Sequence, residues 1–255
     1  MTHVRPLEPT LRVDSDPAWS GPVVGVVGGL GPAATALFLQ LVVDLTPATR
    51  DQDHLDLIVL DHSSTVDRTA YILDPENAAN PGPGLARDAA RLAALGAAFV
   101  SIPCNTAHHF IDEITDASGL EIVDVVNETA RAAVQAAGSK PVAVLATDGT
   151  RAAGVYQGVL ERLGVDVLLP DEDQQRLVMS VIYDGVKAGG PVDVDGLLGV
   201  IGALLAQGAG VVVMGCTELS VVYANEGWGE RADIVDSVET LARATVLRAG
   251  REPRR

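Results

Sequence analysis

Two stretches of the chain read alike: LGAAFVSIPCNT at residues 95–106 and QGAGVVVMGCTE at residues 207–218. In each, a glycine that would end a helix is followed by an apolar run, and a cysteine comes eight residues after the glycine. The two cysteines of the chain, Cys104 and Cys216, are therefore 112 residues apart at equivalent places. Such a repeat predicts two similar halves. The alternative is a chance likeness between two connections rich in Ala, Gly and Val.

Short β-branched runs recur through the chain, as is typical of strands buried on both faces of a parallel sheet. The candidate strands are Val23–Val27, Leu55–Leu60, Ala98–Ile102, Ile122–Val125, Pro141–Ala146, Val165–Leu169, Val211–Met214 and Ile234–Val235. The segments between them predict helices at Pro32–Leu45, Leu85–Leu95, Thr106–Ala117, Asn127–Ala137, Thr150–Leu163, Gln174–Ala188, Val194–Gln207 and Ser237–Ala249. This alternation predicts βαβ units and an α/β fold.

The balance of charge excludes some partners. The 255 residues include 18 Lys and Arg against 34 Asp and Glu, a net charge of −16. Nucleic acids and anionic membrane surfaces both require a basic face, so we expect neither as a partner. No apolar run reaches the roughly 18 residues of a membrane span, and residues 1–20 lack the apolar core of a signal peptide. We therefore expect a cytoplasmic protein with a flexible tail at residues 1–21.

Both cysteines follow the carboxyl end of a predicted strand, which is the edge where α/β sheets bind ligands. The backbone N–H groups of Asn105, Thr106, Thr217 and Glu218 would be unpaired there, able to hold a carboxylate and to favour a thiolate. Two thiols on opposite sides of a cleft suit inversion of a carbon centre, because one removes a proton and the other returns one to the opposite face. The alternative is two buried thiols without chemistry.

Six motifs in order resemble one family. They are GGLGPAAT at residues 28–35, RDQDH at 50–54, DRTAYIL at 67–73, PCNTAH at 103–108, YDGVKAG at 183–189 and GCTE at 215–218. Together they resemble the cofactor-independent aspartate/glutamate racemase superfamily, in its aspartate racemase and broad-specificity amino-acid racemase branch. The resemblance runs from about Val23 to near the C terminus.

The resemblance implies two pseudo-symmetric α/β domains, each a mainly parallel sheet flanked by helices, with the active site in the cleft between them. It implies a homodimer, and a small amino-acid substrate handled without pyridoxal phosphate, metal or other cofactor. It also implies that the last helix packs on the first domain. We accordingly expect domain 1 to comprise residues 22–121 plus 228–255 with Cys104, and domain 2 to comprise residues 122–227 with Cys216.

The resemblance also implies the roles of single residues. Cys104 and Cys216 match the acid–base pair, Arg50 a residue that binds the side-chain carboxylate of the substrate, and Lys187 a second substrate-binding residue. The other residues that we expect at the substrate site are Asn105, Thr106, Thr217, Gly29, Thr147, Ser63 and Arg68.

Several of these residues have a second interpretation. Lys187, one of only two lysines, also suits a solvated position at the end of a helix, and Arg50 suits a surface ion pair with its neighbouring aspartates. Thr147 and the segment Asp67–Thr69 also suit helix caps. The loop at residues 29–34 is a weak dinucleotide-binding pattern, and the spacing of Cys104 and His108 allows a metal site.

We expect racemisation of an amino acid, with aspartate or glutamate as the first candidates. The segment DHSSTV at residues 61–66 is closer to the broad-specificity branch, so a wider range of amino acids is the second expectation. Two alternatives stay open: another cysteine-dependent isomerase or lyase of the superfamily, and a ligand-binding protein on the same fold. Glu218, two residues after Cys216, would raise the pKa of that thiol if the carboxylate lies near it.

Overall fold

A computed structural model describes residue 19 and residues 21–254. Apart from Trp19 and Gly21, the predicted tail at residues 1–21 lies outside this range. All eight predicted strands form, and they divide into two parallel sheets of four strands. No helix among the described residues has both the length and the apolar character needed to cross a membrane.

The two sheets have the same topology. The first contains β1 (Val24–Gly28), β2 (Leu57–Asp61), β3 (Phe99–Ser101) and β4 (Ile122–Val123), in the order β2-β1-β3-β4. The second contains β5 (Val142–Leu145), β6 (Val167–Leu168), β7 (Val211–Met214) and β8 (Ile234–Asp236), in the order β6-β5-β7-β8. The pseudo-symmetric α/β architecture expected from the repeat is therefore confirmed, with the two cysteines after the equivalent strands β3 and β7.

The helices flank both sheets. They are α1 (Pro32–Leu45), α2 (Arg68–Leu73), α3 (Gly82–Ala94), α4 (Ile111–Ser118), α5 (Val125–Ala137), α6 (Asp148–Ala152), α7 (Val155–Arg162), α8 (Glu172–Ser180), α9 (Val194–Ala206), α10 (Thr217–Asn225) and α11 (Ser237–Arg248). The predicted helix ranges do not include α2 or α10, although the sequence indicates helix starts at Asp67–Thr69 and directly after Cys216. The single helix predicted over Thr150–Leu163 is divided, because Gly154 adopts the left-handed conformation (φ 63°) between α6 and α7.

The largest core lies between the sheets. Side chains of α1, α5, α7 and α11 meet the inward-facing residues of β1 and β5 there. A second core joins β5 and β7 to α8, α9 and α10, and a third joins β1 and β3 to α3 and α4. The central strands β1, β3, β5 and β7 are buried on both faces, which is why they read as continuous apolar runs, whereas the edge strands β2 and β6 are only partly buried. The shared central core fixes the two halves against each other.

The two halves exchange helices. β4 pairs with β3 in the first sheet, but the next helix, α5, packs on β7 of the second. β8 pairs with β7 in the second sheet, but α11 packs on α1 of the first. The boundaries predicted after residue 121 and before residue 228 therefore each separate a strand from the sheet in which it pairs. The chain crosses between halves after each of these strands, at the equivalent cap residues Asp124 and Asp236.

Candidate active site

The loop after β3 places Cys104 in the space between the halves. The backbone N–H of Cys104 donates to the carbonyl of Ile102 (2.7 Å), which turns the chain sharply around Pro103. A single turn of 3₁₀ helix, Thr106–Phe110, follows without a side-chain cap at its start. Its first N–H groups therefore have no side-chain acceptor close to the thiol.

The loop after β7 places Cys216 in the equivalent position. Cys216 is the N-cap residue of α10, and its side chain does not cap the helix. Helices elsewhere in the chain, such as α5, α8 and α11, do begin with a capping aspartate. The first-turn N–H groups of Thr217 and Glu218 accordingly remain available to an anion at this edge of the sheet.

Both thiols line one nearly closed cavity, which we call the cysteine cavity. Its volume is about 10 Å³, close to that of a single water molecule. Its walls are formed by Leu30, Asp67, Arg68, Thr69, Cys104, Asn105, Thr106, Thr147, Tyr183, Lys187, Cys216, Thr217 and Glu218. Both cysteines are free thiols and both are buried. The structure thus brings together most of the residues that the sequence singled out.

A carboxylate holds the Cys216 thiol. The Cys216 Sγ–H donates to Glu218 Oε2 (3.0 Å), and the Lys187 ammonium donates to the other oxygen, Oε1 (2.5 Å). Burial and the charge of Glu218 raise the pKa of the Cys216 thiol well above its ordinary value, and the opposing effect of Lys187 is smaller. Cys216 is therefore a protonated thiol in this arrangement, as expected from a carboxylate at its side.

A guanidinium lies beside the other thiol. Arg68 is buried, and its Nη atoms donate to the carbonyls of Leu30 (2.6 Å) and Val66 (3.2 Å). Burial lowers the pKa of Arg68, but the charges of Cys104 and Asp67 outweigh that effect and the pKa lies above its ordinary value. Among the described residues, no carboxylate forms a salt bridge with Arg68, and its buried Nε has no hydrogen-bond partner.

Lys187 reaches the cavity through an irregular helix. The helix predicted over Gln174–Ala188 begins as α8, but Val181–Lys187 continues it with the wider π-helical turn. Such turns often occur at functional sites. Lys187 Nζ lies 5.5 Å from the ring centre of Tyr183, whose hydroxyl donates to Asp67 (3.1 Å) across the halves. Burial lowers the pKa of Lys187, but the neighbouring negative groups, of which Glu218 is the strongest, together outweigh it, so the pKa is raised.

A second cavity of about 230 Å³ adjoins the first, and we call it the adjoining cavity. It shares Leu30, Asp67, Arg68, Lys187 and Glu218 with the cysteine cavity, and it adds Gly29, Gly31, Pro32, Ala33, Ala34, Ser63, Thr65 and Val186. Gly29 has a φ of 84°, and a Cβ there would lie 2.5 Å from the backbone of His62. Only glycine therefore fits where the loop at residues 61–66 crosses β1.

The predicted residues Asn105, Thr106 and Thr147 line the cysteine cavity, but their side chains bond within the protein. The Asn105 amide donates to Ser237 (2.9 Å) and accepts from the Tyr156 hydroxyl (2.6 Å). Thr106 bonds to Thr150 (2.9 Å), and Thr147 caps α6. These side chains hold the halves together. The cap interpretation is also confirmed at Asp67, which accepts from the Ala70 N–H at the start of α2.

Two sequence candidates lie outside this arrangement. Arg50 does not line either cavity; its side chain is 72% exposed and forms an ion pair with Asp53 (3.0 Å). His108 uses both ring nitrogens on backbone, at the Cys104 carbonyl (2.9 Å) and the Val125 N–H (3.3 Å). It therefore positions the Cys104 loop. Within the described part of the chain, no group of three or more His, Cys, Asp or Glu residues is arranged to hold a metal ion.

Some residues of the site were not predicted. Tyr183, Leu30 and Thr69 line the cysteine cavity; all three belong to the family motifs, but none was predicted as a substrate-binding residue. Tyr183 lies four residues before Lys187, so both side chains can face the same side of a helix, and that spacing is a signal that could have found it. No equivalent signal exists for Leu30, which lies in the loop between β1 and α1.

The family model of Asp/Glu/hydantoin racemases matches residues 27–245. The broad-specificity amino-acid racemase RacX of Bacillus subtilis (strain 168) is 26% identical over 229 residues, covering 88% of this chain and 96% of that protein. The structure of Picrophilus torridus aspartate racemase superposes with a TM-score of 0.77 at 26% identity, covering 92% of this chain and 96% of that one. An aspartate racemase homologue from Pyrococcus horikoshii OT3 shares the fold, with a TM-score of 0.69 at 20% identity over 89% and 98% of the chains.

Proposed function

The chain belongs to the Asp/Glu/hydantoin racemase family, and we propose that it racemises a free amino acid at Cα with Cys104 and Cys216 as the two acid–base groups. Its racemase relatives make it an isomerase. The observation that carries the proposal is the unequal surroundings of two thiols in one cavity. Arg68 lies beside Cys104, whereas Glu218 accepts a hydrogen bond from Cys216.

A two-base racemase requires one thiolate and one thiol at the same time. The Arg68 guanidinium supplies a positive charge beside Cys104, and Glu218 keeps the proton on Cys216. Cys104 then removes the Cα proton, forming its S–H bond and leaving the electron pair delocalised into the substrate carboxylate. Cys216 gives its proton to the opposite face of Cα, which inverts the centre. The other enantiomer is converted by the same steps in reverse.

The substrate carboxylate needs donors close to the thiols. Arg68 has an unpaired Nε, and the N–H groups of Thr217 and Glu218 begin α10 beside Cys216. These groups stabilise the negative charge that the carboxylate gains when Cα loses its proton. Arg50, expected from the resemblance to bind substrate, is paired at the surface, so our proposal assigns the anion-binding role to Arg68.

Substrate must open the cysteine cavity, because its volume of about 10 Å³ is much smaller than an amino acid. The adjoining cavity provides the approach, since the two share five residues. Tyr183 and Asp67 form one of the contacts that would separate as the halves move apart. Closure around the substrate would then exclude water and strengthen the electrostatic interactions at Cα. A homodimer, a cytoplasmic location and independence from cofactors remain predictions.

The decisive experiment measures exchange of the Cα proton in deuterated water, with single enantiomers of many amino acids. We expect deuterium incorporation together with loss of optical rotation. Either Cys104→Ala or Cys216→Ala should lower the racemisation rate by about 10²- to 10⁴-fold, the usual contribution of an acid–base group. Racemisation that persists after treatment with hydroxylamine and EDTA would support a reaction without pyridoxal phosphate or metal.

Melting temperatures control for folding of both variants, because a small buried cavity is the only other change. Full activity in either variant would contradict the two-base proposal. Exchange accompanied by release of carbon dioxide would identify a lyase instead. A ligand-binding protein would show no exchange with any compound, although a bound amino acid would still raise its melting temperature.

A further inference from the structure

We propose that the side chain of the amino-acid substrate is uncharged, because the cationic side chains around the two cavities are already matched by carboxylates. This inference rests on the proposed function and adds the class of substrate. Aspartate and glutamate, the first candidates from the sequence, carry a second carboxylate. The adjoining cavity would therefore accept side chains such as those of asparagine, glutamine, methionine or leucine.

The charges are those of four side chains. Arg68 and Lys187 are positive, Asp67 and Glu218 are negative, and all four line both cavities. Lys187 is already committed to Glu218 at 2.5 Å, and the Glu218 side chain is only 4% exposed. In the proposed reaction Cys104 adds one negative charge. The site then carries a net negative charge before any substrate enters.

One cationic donor remains for a substrate. The Nε of Arg68 is buried and has no partner among the described residues. A single donor of this kind suits the α-carboxylate, which every amino acid has. A second carboxylate would have to take Lys187 from Glu218, leaving that buried carboxylate unpaired, and breaking a buried ion pair is strongly unfavourable.

The residues that line the adjoining cavity also favour an uncharged side chain. Leu30, Pro32, Ala33, Ala34 and Val186 are apolar, and Ser63 and Thr65 supply neutral hydroxyl groups. Arg50, the residue expected to bind a side-chain carboxylate, points away into solvent and is paired with Asp53. The cavity of about 230 Å³ thus offers room and neutral contacts without a free cation for a charged side chain.

The test compares amino acids that differ in charge but hardly in shape. We would measure kcat/KM for Cα-proton exchange with aspartate against asparagine, and with glutamate against glutamine, as both enantiomers. We expect the amide of each pair to exchange more than about tenfold faster. An acid that exchanges as fast as its amide overturns the inference, and so does a preference for lysine or arginine over neutral side chains. No exchange with any amino acid refutes the proposed function itself, and this inference with it.

A designed charge gives a second test. Ala33 is exposed at the start of α1 and lines the adjoining cavity, so Ala33→Lys supplies the missing cation. We expect this variant to lower the ratio of asparagine to aspartate activity by about tenfold. Ala33→Gln controls for size, and Ala36→Lys places the same charge on an exposed position of the same helix that lines neither cavity. An equal change in the ratio with Ala36→Lys would overturn the inference.

Discussion

Glu218 joins the two chemically different ends of the site. One carboxylate oxygen accepts from the Lys187 ammonium and the other from the Cys216 thiol. Because a neighbouring anion disfavours a thiolate, this contact sets the charge of Cys216 relative to Cys104. In the proposed reaction, the different neighbours of these two identical residues make one an acid and the other a base. Glu218 acts through Cys216 and is a positioning residue.

Replacing that carboxylate should move the pH dependence of racemisation. Glu218→Gln keeps the shape but removes the charge that raises the pKa of Cys216. The thiol then loses its proton at lower pH, and the alkaline limb of the kcat/KM profile should shift to lower pH. The profile of kcat/KM against pH measures this directly. Glu226→Gln, at the exposed end of the same helix, is the matched control. An alkaline limb that stays in place would show that Glu218 does not govern the thiol.

At the residue scale, the sequence predicted which residues belong to the site better than it predicted where their side chains point. The repeat is enough to place Cys104 and Cys216 at equivalent loops, and Lys187 and Arg68 reach the same cavity. The position of the Arg50 side chain could not be predicted, because its motif indicates a role but not the direction in which the side chain points. Its neighbour Asp53 offers a local partner three residues away, and that contact holds the guanidinium at the surface.

At the scale of elements, the central strands were predictable because their burial on both faces leaves apolar runs in the sequence. The six residues of α2 are too few for a helical period to show. α10 is buried on most sides, so its sequence has no clear polar face. The π-helical turn at Val181–Lys187 packs against α10, and no local pattern in the sequence predicts it.

The cap of α11 leads to a prediction about stability. Asp236 accepts from the Glu239 N–H (2.8 Å), but complete burial raises the pKa of its carboxyl to about 6. The folded state therefore binds this proton more tightly than the unfolded state does. The resulting stabilisation is fully present below about pH 4 and is lost as the pH rises through about 6. A pKa shift of this size corresponds to a change of about 3 kcal/mol in the free energy of unfolding.

Asp236→Asn keeps the oxygen that caps the helix and removes the buried charge. We expect its free energy of unfolding, measured with denaturant, to exceed that of the wild type above about pH 7 by up to about 3 kcal/mol, with the difference shrinking towards pH 4. Asp124→Asn, at the equivalent cap of α5, is the control. It measures how the same substitution changes the free energy of unfolding at a less buried position. A difference between Asp236→Asn and wild type that is constant with pH would contradict the assignment.

At the scale of the whole molecule, the exchange of α5 and α11 explains why two sheets form one site. Each helix follows a strand of one half and packs on the other, so the central core ties the halves together. The cysteine loops end up facing each other at the carboxyl edges of β3 and β7. The repeat in the sequence predicts the two halves. It does not predict that α5 and α11 pack on the opposite halves, because the sequence of a strand followed by a helix does not indicate which sheet the helix covers.

The net charge of −16 gives the last prediction. An acidic protein repels anions until salt screens its field, and the screening length falls from about 30 Å at 0.01 M to about 8 Å at 0.15 M. Because the four charged side chains at the cavities balance, no local positive site offsets that field. Raising KCl over this range should therefore increase kcat/KM for aspartate or glutamate severalfold, or lower their inhibition constants if they only inhibit. The values for the zwitterions asparagine and glutamine should hardly change, which makes them the internal control for effects of salt on the enzyme. Weaker binding of the acidic amino acids at high salt would instead mean that Arg68 and Lys187 act as a free cationic site, contrary to the pairing of Lys187 with Glu218.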